Sequence, residues 1–332
     1  MGSKIEKISY YLPEKITSND DLQKEFSDFD SAKFSKKIGI SSRHITGDNE
    51  TALDIAFKAA TEVLLDENKE TIDFVLYCTQ SPEYFLPSGA CLLQNRLGLS
   101  SSCGALDFNL GCSGFVYGLS LCKGLISSGV AKRILFVTSE TYSKHLHPKD
   151  KANRGIFGDA ATATIVAESE KEHIGEFVLG TDGSGAEKLI VRNGCSYAPF
   201  NEDTPAVEYG TGNITDDNHI YMDGPGIFNF TIEKVPFAYS ELLRKNDLEL
   251  ENVQMNIFHQ ANKYMLNYLR KKIKISKDHF YIDMNDVGNT VSNTIPIALK
   301  RALDKDVVKV GDKVSLVGFG VGLSWAGVIV EL

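Results

Sequence analysis

The sequence has no CxxC pair, a single tryptophan, and no uninterrupted apolar run of the ~18 residues that a membrane-spanning helix requires. The first absence argues against a zinc site and against a disulfide framework. The six cysteines, at 78, 91, 103, 112, 122 and 195, sit mostly in apolar surroundings and read as free thiols. The lack of a long apolar run, with Lys4, Glu6 and Lys7 alternating into the opening stretch in place of a signal core, reads as a soluble, cytoplasmic chain with no membrane partner. An excess of positive charge is missing too: a net charge of −9 gives nucleic acid no broad footprint. The one basic run, Arg270, Lys271, Lys272, Lys274 and Lys277, reads as a solvated helix end. A composition of 42% hydrophobic and 24% charged residues over 332 positions excludes disorder and supports one large or two modest cores.

Periodicity divides the chain into two similar halves. In the first, Asp73 to Thr79 reads as a buried strand, and Leu106 to Leu110 alternates as a half-buried strand does. A helix follows from Cys112, with Phe115, Val116, Leu119, Cys122 and Leu125 at three- and four-residue spacing and Lys123 its only charge before Gly129. Arg133 to Thr138 is a strand, and Phe157-Gly158 leads into another at Ala160 to Val166. In the second half come a strand at Met255 to Phe258, a helix at Ala261 to Lys272, a turn at Gly288-Asn289, a Pro-initiated helix near Pro296 to Leu303, and strands at Val314 to Phe319 and Trp325 to Val330. Thr79 to Cys112 spans nearly the same length as His259 to Asn289, and Phe157-Gly158 matches Phe319-Gly320. Such a repeat predicts α/β layers in two halves, 1–170 and 171–332, about a pseudo-twofold axis. Cys112 and Asn289 then open equivalent helices, with His259 at an adjacent strand end, where α/β proteins place chemistry.

Each candidate has an ordinary reading. Cys78, Cys91 and Cys122 read as small buried hydrophobes. Cys112 is flanked by Gly111 and by Ser113-Gly114 on a strand-to-helix turn, where a helix N-terminus lowers a thiol pKa from about 8.5 toward roughly 3.5–7.5. A lone histidine such as His259 is more often a hydrogen-bonded core residue, and Gly288-Asn289-Thr290 alone is a turn. Together the three supply a nucleophile and two donors able to stabilise an enolate and a tetrahedral intermediate.

Four ordered segments, Asp107-Phe108-Asn109-Leu110-Gly111-Cys112-Ser113-Gly114-Phe115, His259-Gln260-Ala261-Asn262, Gly288-Asn289-Thr290-Val291-Ser292 and Phe319-Gly320-Val321-Gly322-Leu323-Ser324-Trp325, resemble the motifs of β-ketoacyl-acyl-carrier-protein synthase III. Gly39 to Ile45, Phe157-Gly158-Asp159-Ala160 and Met222-Asp223-Gly224 add to the likeness. The resemblance implies an α/β thiolase-like fold of duplicated βαβαβαββ halves in five layers, α-β-α-β-α. It implies an acyltransferase that loads Cys112 from a thioester and then condenses it, with decarboxylation, onto malonyl-carrier protein. His259 and Asn289 are the implied donors to the malonyl thioester oxygen, and the backbone N–H groups of Cys112 and Val321 the implied oxyanion hole. Leu86, Phe157, Lys37, Lys151, Gly224, Asn262 and Lys263 fall at the substrate or carrier. The implied partners are acyl carrier protein, an acyl thioester donor and a second copy in a homodimer crossed by Gln80 to Gly89. No metal or other cofactor is implied; coenzyme A or carrier thioesters are substrates.

The chain departs from the family at the donor end. A tryptophan that stacks on the adenine of coenzyme A is replaced by Lys33, the nucleotide-gripping arginines by Lys37 and Lys151, and an asparagine after Gly224 by Pro225. Lysine does not reproduce the flat, bidentate guanidinium, so a specialised relative is expected. Rival readings are transfer of the Cys-bound acyl group to a hydroxyl or amine, a cysteine hydrolase, and a non-catalytic partner subunit.

Overall fold

The computed structural model describes residues 2–332. Its first sheet runs in spatial order Gly2–Tyr11, Ala160–Ser169, Arg133–Glu140, Phe74–Cys78, Gly104–Phe108, with two antiparallel and then two parallel pairings. The second runs Ile174–Thr181, Ser324–Glu331, Lys313–Gly320, Met255–Phe258, paired antiparallel, antiparallel and parallel. An isolated parallel bridge between Asn256 and Phe280 stands where the first sheet has its last strand. One pairing pattern thus occurs twice, and the fold is the duplicated α/β arrangement that the sequence predicts.

Burial follows from the layers. Phe74–Cys78 is central and parallel, covered on both faces, so its apolar run is continuous. The helix Gly114–Ser127 lies between the sheets, packed on Phe74–Cys78 and on Lys313–Gly320, and Thr294–Asp304 lies beside Gly2–Tyr11 and Met255–Phe258. Phe115, Val116 and Leu119 are fully buried there, each contributing about 1.5–3 kcal/mol of burial. Lys123, the one charge of that helix, reaches the layer's margin and donates to the carbonyls of Ile174 and Gly175 at 2.6 and 3.1 Å. Ala52–Val63 and Gly89–Leu97 cover the outer face of the first sheet, and Gly224–Lys245 covers that of the second with Lys263–Ile273 packed on it. No helix among the described residues is long and apolar enough to cross a membrane.

Several expectations are corrected. The inner helix starts at Gly114, so Cys112 precedes its first turn instead of opening it. Asn289 likewise does not open a helix: a 3-10 turn, Val291–Asn293, intervenes before Thr294–Asp304. Cys91 and Cys195 are exposed and Cys103 is half-buried, because Cys91 faces solvent on an outer-layer helix and Cys195 sits on a surface loop. Leu106 is 48% exposed, since Gly104–Phe108 is an edge strand with one side uncovered.

Candidate active site

The site grows from two strand ends that come together. The backbone N–H of His259 donates to the Val317 carbonyl at 2.8 Å, so strand pairing continues one residue past Phe258 and carries the imidazole to the end of the second sheet. The ring is buried, stands edge-on to Phe319 with centroids 5.5 Å apart, and bonds through Nδ1 to Thr294 Oγ1 at 2.7 Å. Thr294 Oγ1 in turn donates to the Val291 carbonyl at 3.0 Å.

Asn289 reaches the same place from the first half's side. Its backbone N–H donates to the Ile156 carbonyl at 2.9 Å, and its own carbonyl accepts from Gly158 at 3.1 Å. This stitching needs Gly288: φ is +72°, and a Cβ there would meet the Ile156 carbonyl at 2.7 Å. The Val291 N–H donates to Asn289 Oδ1 at 2.9 Å, which orients the amide with its NH2 group free of that bond. Val291 accepts φ of +57°, a strained conformation for a β-branched residue, and by that turn serves both Asn289 and His259.

Cys112 abuts this hub. A Cβ on its neighbour Gly111 would lie 3.2 Å from Val291 Cγ1 and 2.5 Å from Val321 Cγ1, and a Cβ on Gly320 would lie 2.7 Å from Cys112 Sγ. The glycine-rich segment therefore lies directly over the sulfur, and Gly320 takes φ of +158°, which favours glycine. The Val321 backbone N–H faces the thiol, as does the N–H of Cys112 itself. Cys112, His259, Asn289 and Val321 are thus gathered around Val291.

The electrostatics correct one expectation. Burial pushes the Cys112 thiol up to about 12, offset only in part by the Val321 N–H, and the Glu140 charge adds to the rise. A helix terminus by itself lowers a thiol, but in the folded chain burial dominates, and the resting group is the thiol. Burial lowers His259 to about 3, so its imidazole is neutral, with the Val291 carbonyl pulling the other way. Glu140, fully buried, is raised to about 8 by desolvation; it accepts the Gln80 N–H at 3.2 and 3.1 Å and the hydroxyls of Ser81 and Ser292 at 3.2 and 3.3 Å. It joins a turn of the first half to the turn after Asn289 in the second.

The remaining candidates are dispersed. Lys37 and Lys263 line one surface cavity of about 310 Å³ with Lys36, Tyr264, Tyr268 and Lys271. Asn262 spends its carbonyl capping the helix at Met265, 2.8 Å away. Lys151 is ion-paired with Asp28, Phe157 is a buried wall packed on Tyr142 at 5.2 Å, and Gly224 starts an exposed helix end. Leu86 is 82% exposed, which excludes packing in this chain's own core. Sequence reasoning missed Val291, Thr294 and Glu140 as site residues; Thr294 and Glu140 act across distant segments, and the left-handed turn at Val291 that serves Asn289 is not one a β-branched residue signals.

Comparison with known proteins decides the family. Residues 106–183 match the model for 3-oxoacyl-[acyl-carrier-protein] synthase III, and residues 243–332 match the model for its C-terminal part. A β-ketoacyl-[acyl-carrier-protein] synthase III of Clostridium tetani is 35% identical over 97% of this chain and 96% of its own. The chain belongs to the β-ketoacyl-acyl-carrier-protein synthase III family. A synthase III of Caldanaerobacter subterraneus is 34% identical over 97% of this chain and 95% of that one. A solved 3-oxoacyl-(acyl-carrier-protein) synthase III is 44% identical, covers all of both chains and superposes with a TM-score of 0.98. Membership in the synthase III family makes the protein a condensing acyltransferase with the thiolase fold.

Proposed function

We propose that the protein condenses an acyl group held on Cys112 with a malonyl thioester on acyl carrier protein, losing carbon dioxide. The observation that supports this reading is the Val291 hub, whose N–H bonds Asn289 Oδ1, whose carbonyl accepts from the hydroxyl that bonds His259, and whose side chain abuts Gly111, the neighbour of Cys112. In the first half-reaction the sulfur attacks the donor carbonyl, the donor's C–S bond breaks, and the departing thiolate leaves with the proton. The N–H groups of Cys112 and Val321 hold the tetrahedral oxyanion, a donor of this kind being worth about 2.7–4 kcal/mol. In the second, His259 Nε2–H and Asn289 Nδ2–H bond the malonyl thioester oxygen as the carboxyl carbon departs. The carbanion then attacks the acyl carbonyl and the Cys112 thiolate leaves. The chemistry proposed calls on thioester substrates and no prosthetic group.

Carrier contact is assigned to Lys37, Lys263 and the lysines around them, which offer positive charge to an acidic carrier. Asn262 is assigned to the pantetheine arm, and Phe157, Lys151 and Gly224 to the donor side. Lys33, Lys37 and Lys151, in place of an aromatic and arginines, favour a donor other than one gripped by its adenine. The working unit is a homodimer in the cytoplasm: Tyr84, Phe85 and Leu86 are all exposed on one loop, and Leu86 enters the partner's acyl site. The halves divide at 170/171, between the two sheets' strands.

Intact mass of the protein incubated with acyl thioesters, followed by release of carbon dioxide from malonyl-carrier protein, tests the reading. Cys112→Ala forms no adduct. Asn289→Ala forms the adduct and loses decarboxylation. A stable adduct on Cys112→Ala removes the assignment.

A further inference from the structure

We infer that Thr294 decides which ring nitrogen of His259 carries the proton, and that its hydroxyl is what makes the Nε2–H tautomer attainable. This rests on the reading of His259 as a donor to the malonyl thioester oxygen and goes beyond it by naming what prepares the donor.

Thr294 Oγ1 lies between His259 Nδ1, at 2.7 Å, and the Val291 carbonyl, at 3.0 Å. All three residues are buried, so no bulk water competes for these atoms. A hydroxyl has one proton, and a carbonyl can only accept. With the hydroxyl turned to the Val291 carbonyl, Oγ1 must accept from Nδ1–H, and Nε2 is left bare. With the hydroxyl turned to Nδ1, the ring proton sits on Nε2. The second arrangement leaves no orphan, because the Val291 carbonyl keeps the Thr294 backbone N–H, which also bonds to it. A thioester oxygen at Nε2 repels a bare nitrogen and accepts from Nε2–H, so substrate selects the second arrangement.

Without the hydroxyl that choice disappears. The Val291 carbonyl, which accepts from Thr294 Oγ1 at 3.0 Å, is the acceptor that stands next to the ring once the hydroxyl is gone. A carbonyl there requires Nδ1–H, so the neutral ring is held with a bare Nε2. Burial keeps the ring neutral, which prevents protonation at both nitrogens from rescuing the donor. Thr294 is therefore a positioning residue: it touches no reacting atom and acts through the imidazole. Acylation of Cys112 does not need Nε2–H and is spared.

The test compares Thr294→Val with Thr294→Ser, which keeps the hydroxyl and loses only a methyl group. The readouts are the 15N and proton resonances of the His259 ring, assigned against His259→Asn, and separate rates of acyl-adduct formation and of carbon dioxide release from malonyl-carrier protein. In wild type and Thr294→Ser the ring carries Nε2–H when a thioester is bound, and both rates stay within about threefold of each other. In Thr294→Val the ring carries Nδ1–H, the adduct forms normally, and kcat for decarboxylation falls by ~10²-fold or more with KM little changed, as a wrong histidine tautomer does in a hydrolytic triad. An unchanged tautomer or unchanged decarboxylation in Thr294→Val overturns the inference. Equal loss of both half-reactions in Thr294→Val, or loss of decarboxylation in Thr294→Ser, overturns it as well. Full decarboxylation by His259→Asn is a different result: it removes the donor reading of His259 itself.

Discussion

The amide of Val291 donates to Asn289 Oδ1 at 2.9 Å, and this one bond turns a flexible carboxamide into a fixed donor. The carbonyl end is occupied, so the end available to a substrate oxygen is NH2. Asn289→Asp has nearly the same shape but presents an acceptor-only group to a developing negative charge. Decarboxylation by Asn289→Asp is expected to fall by ~10³-fold while the acyl adduct still forms, read as carbon dioxide release against intact mass.

Gly320 is expected to tolerate no side chain. A Cβ there would stand 2.7 Å from Cys112 Sγ, closer than real Cβ atoms approach, and φ of +158° opposes any L side chain. Gly320→Ala displaces the sulfur or the Val321 N–H that faces it, and an acylation rate lowered by ~10²-fold is the expected outcome in a stopped-flow adduct assay. Acylation at the wild-type rate would show that the segment yields without cost.

The raised thiol predicts how Cys112 alkylates. With the group at about 12, the thiolate fraction grows nearly tenfold per pH unit through the neutral range. Iodoacetamide labelling of Cys112, followed by peptide mass, should rise continuously from pH 6 to about 9 with no plateau. A plateau near neutrality would mean that the helix terminus outweighs burial after all.

His259 and Glu140 make opposite contributions to the pH dependence of stability. His259 is lowered from 6.5 to about 3, so its contribution is present above 6.5 and is lost as pH falls through the folded value. Glu140 is raised from 4.5 to about 8, so its contribution is full below 4.5 and is lost as pH rises through the folded value. Each slope is about 1.4 kcal/mol per pH unit where only one state binds the proton, and the two oppose each other between the carboxylate and imidazole model values. His259→Gln should therefore expose a stability that falls with pH in that window, and Glu140→Gln one that rises, both measured by urea unfolding. A pH slope unchanged by either substitution would contradict the assignment.

Glu140→Ala removes the acceptor shared by Gln80, Ser81 and Ser292. Leaving the half-buried Gln80 N–H and the Ser81 and Ser292 hydroxyls without this partner is expected to cost about 2–4 kcal/mol, against a smaller loss in Glu140→Gln. The midpoint of denaturant unfolding checks it.

Legibility in the sequence followed the range of the interaction. The inner helix was readable because a segment covered by sheets on both sides must be apolar all round, as Phe115, Val116, Leu119 and Cys122 are. Phe74–Cys78 was readable for the same reason, and the family was readable because its motifs are local strings around Cys112, His259, Asn289 and Gly320. Cys91 was misread as buried: a cysteine next to two leucines has the same local pattern on an outer-layer helix as inside a core. Leu106 was misread because alternation marks two faces of a strand without saying that the strand is an edge.

Chain order and residue chemistry alone determined the duplicated α/β plan and the family, since these are written in spacing and in side-chain type. Folding decided the rest. The thiol's raised pKa, the neutral imidazole, the direction of the Asn289 amide and the bond from Thr294 to His259 all depend on what stands opposite each group. Those neighbours range from Val291, two residues from Asn289, to Val321, on a segment far from Cys112 in the chain, and desolvation acts on a group only after all of them have closed around it.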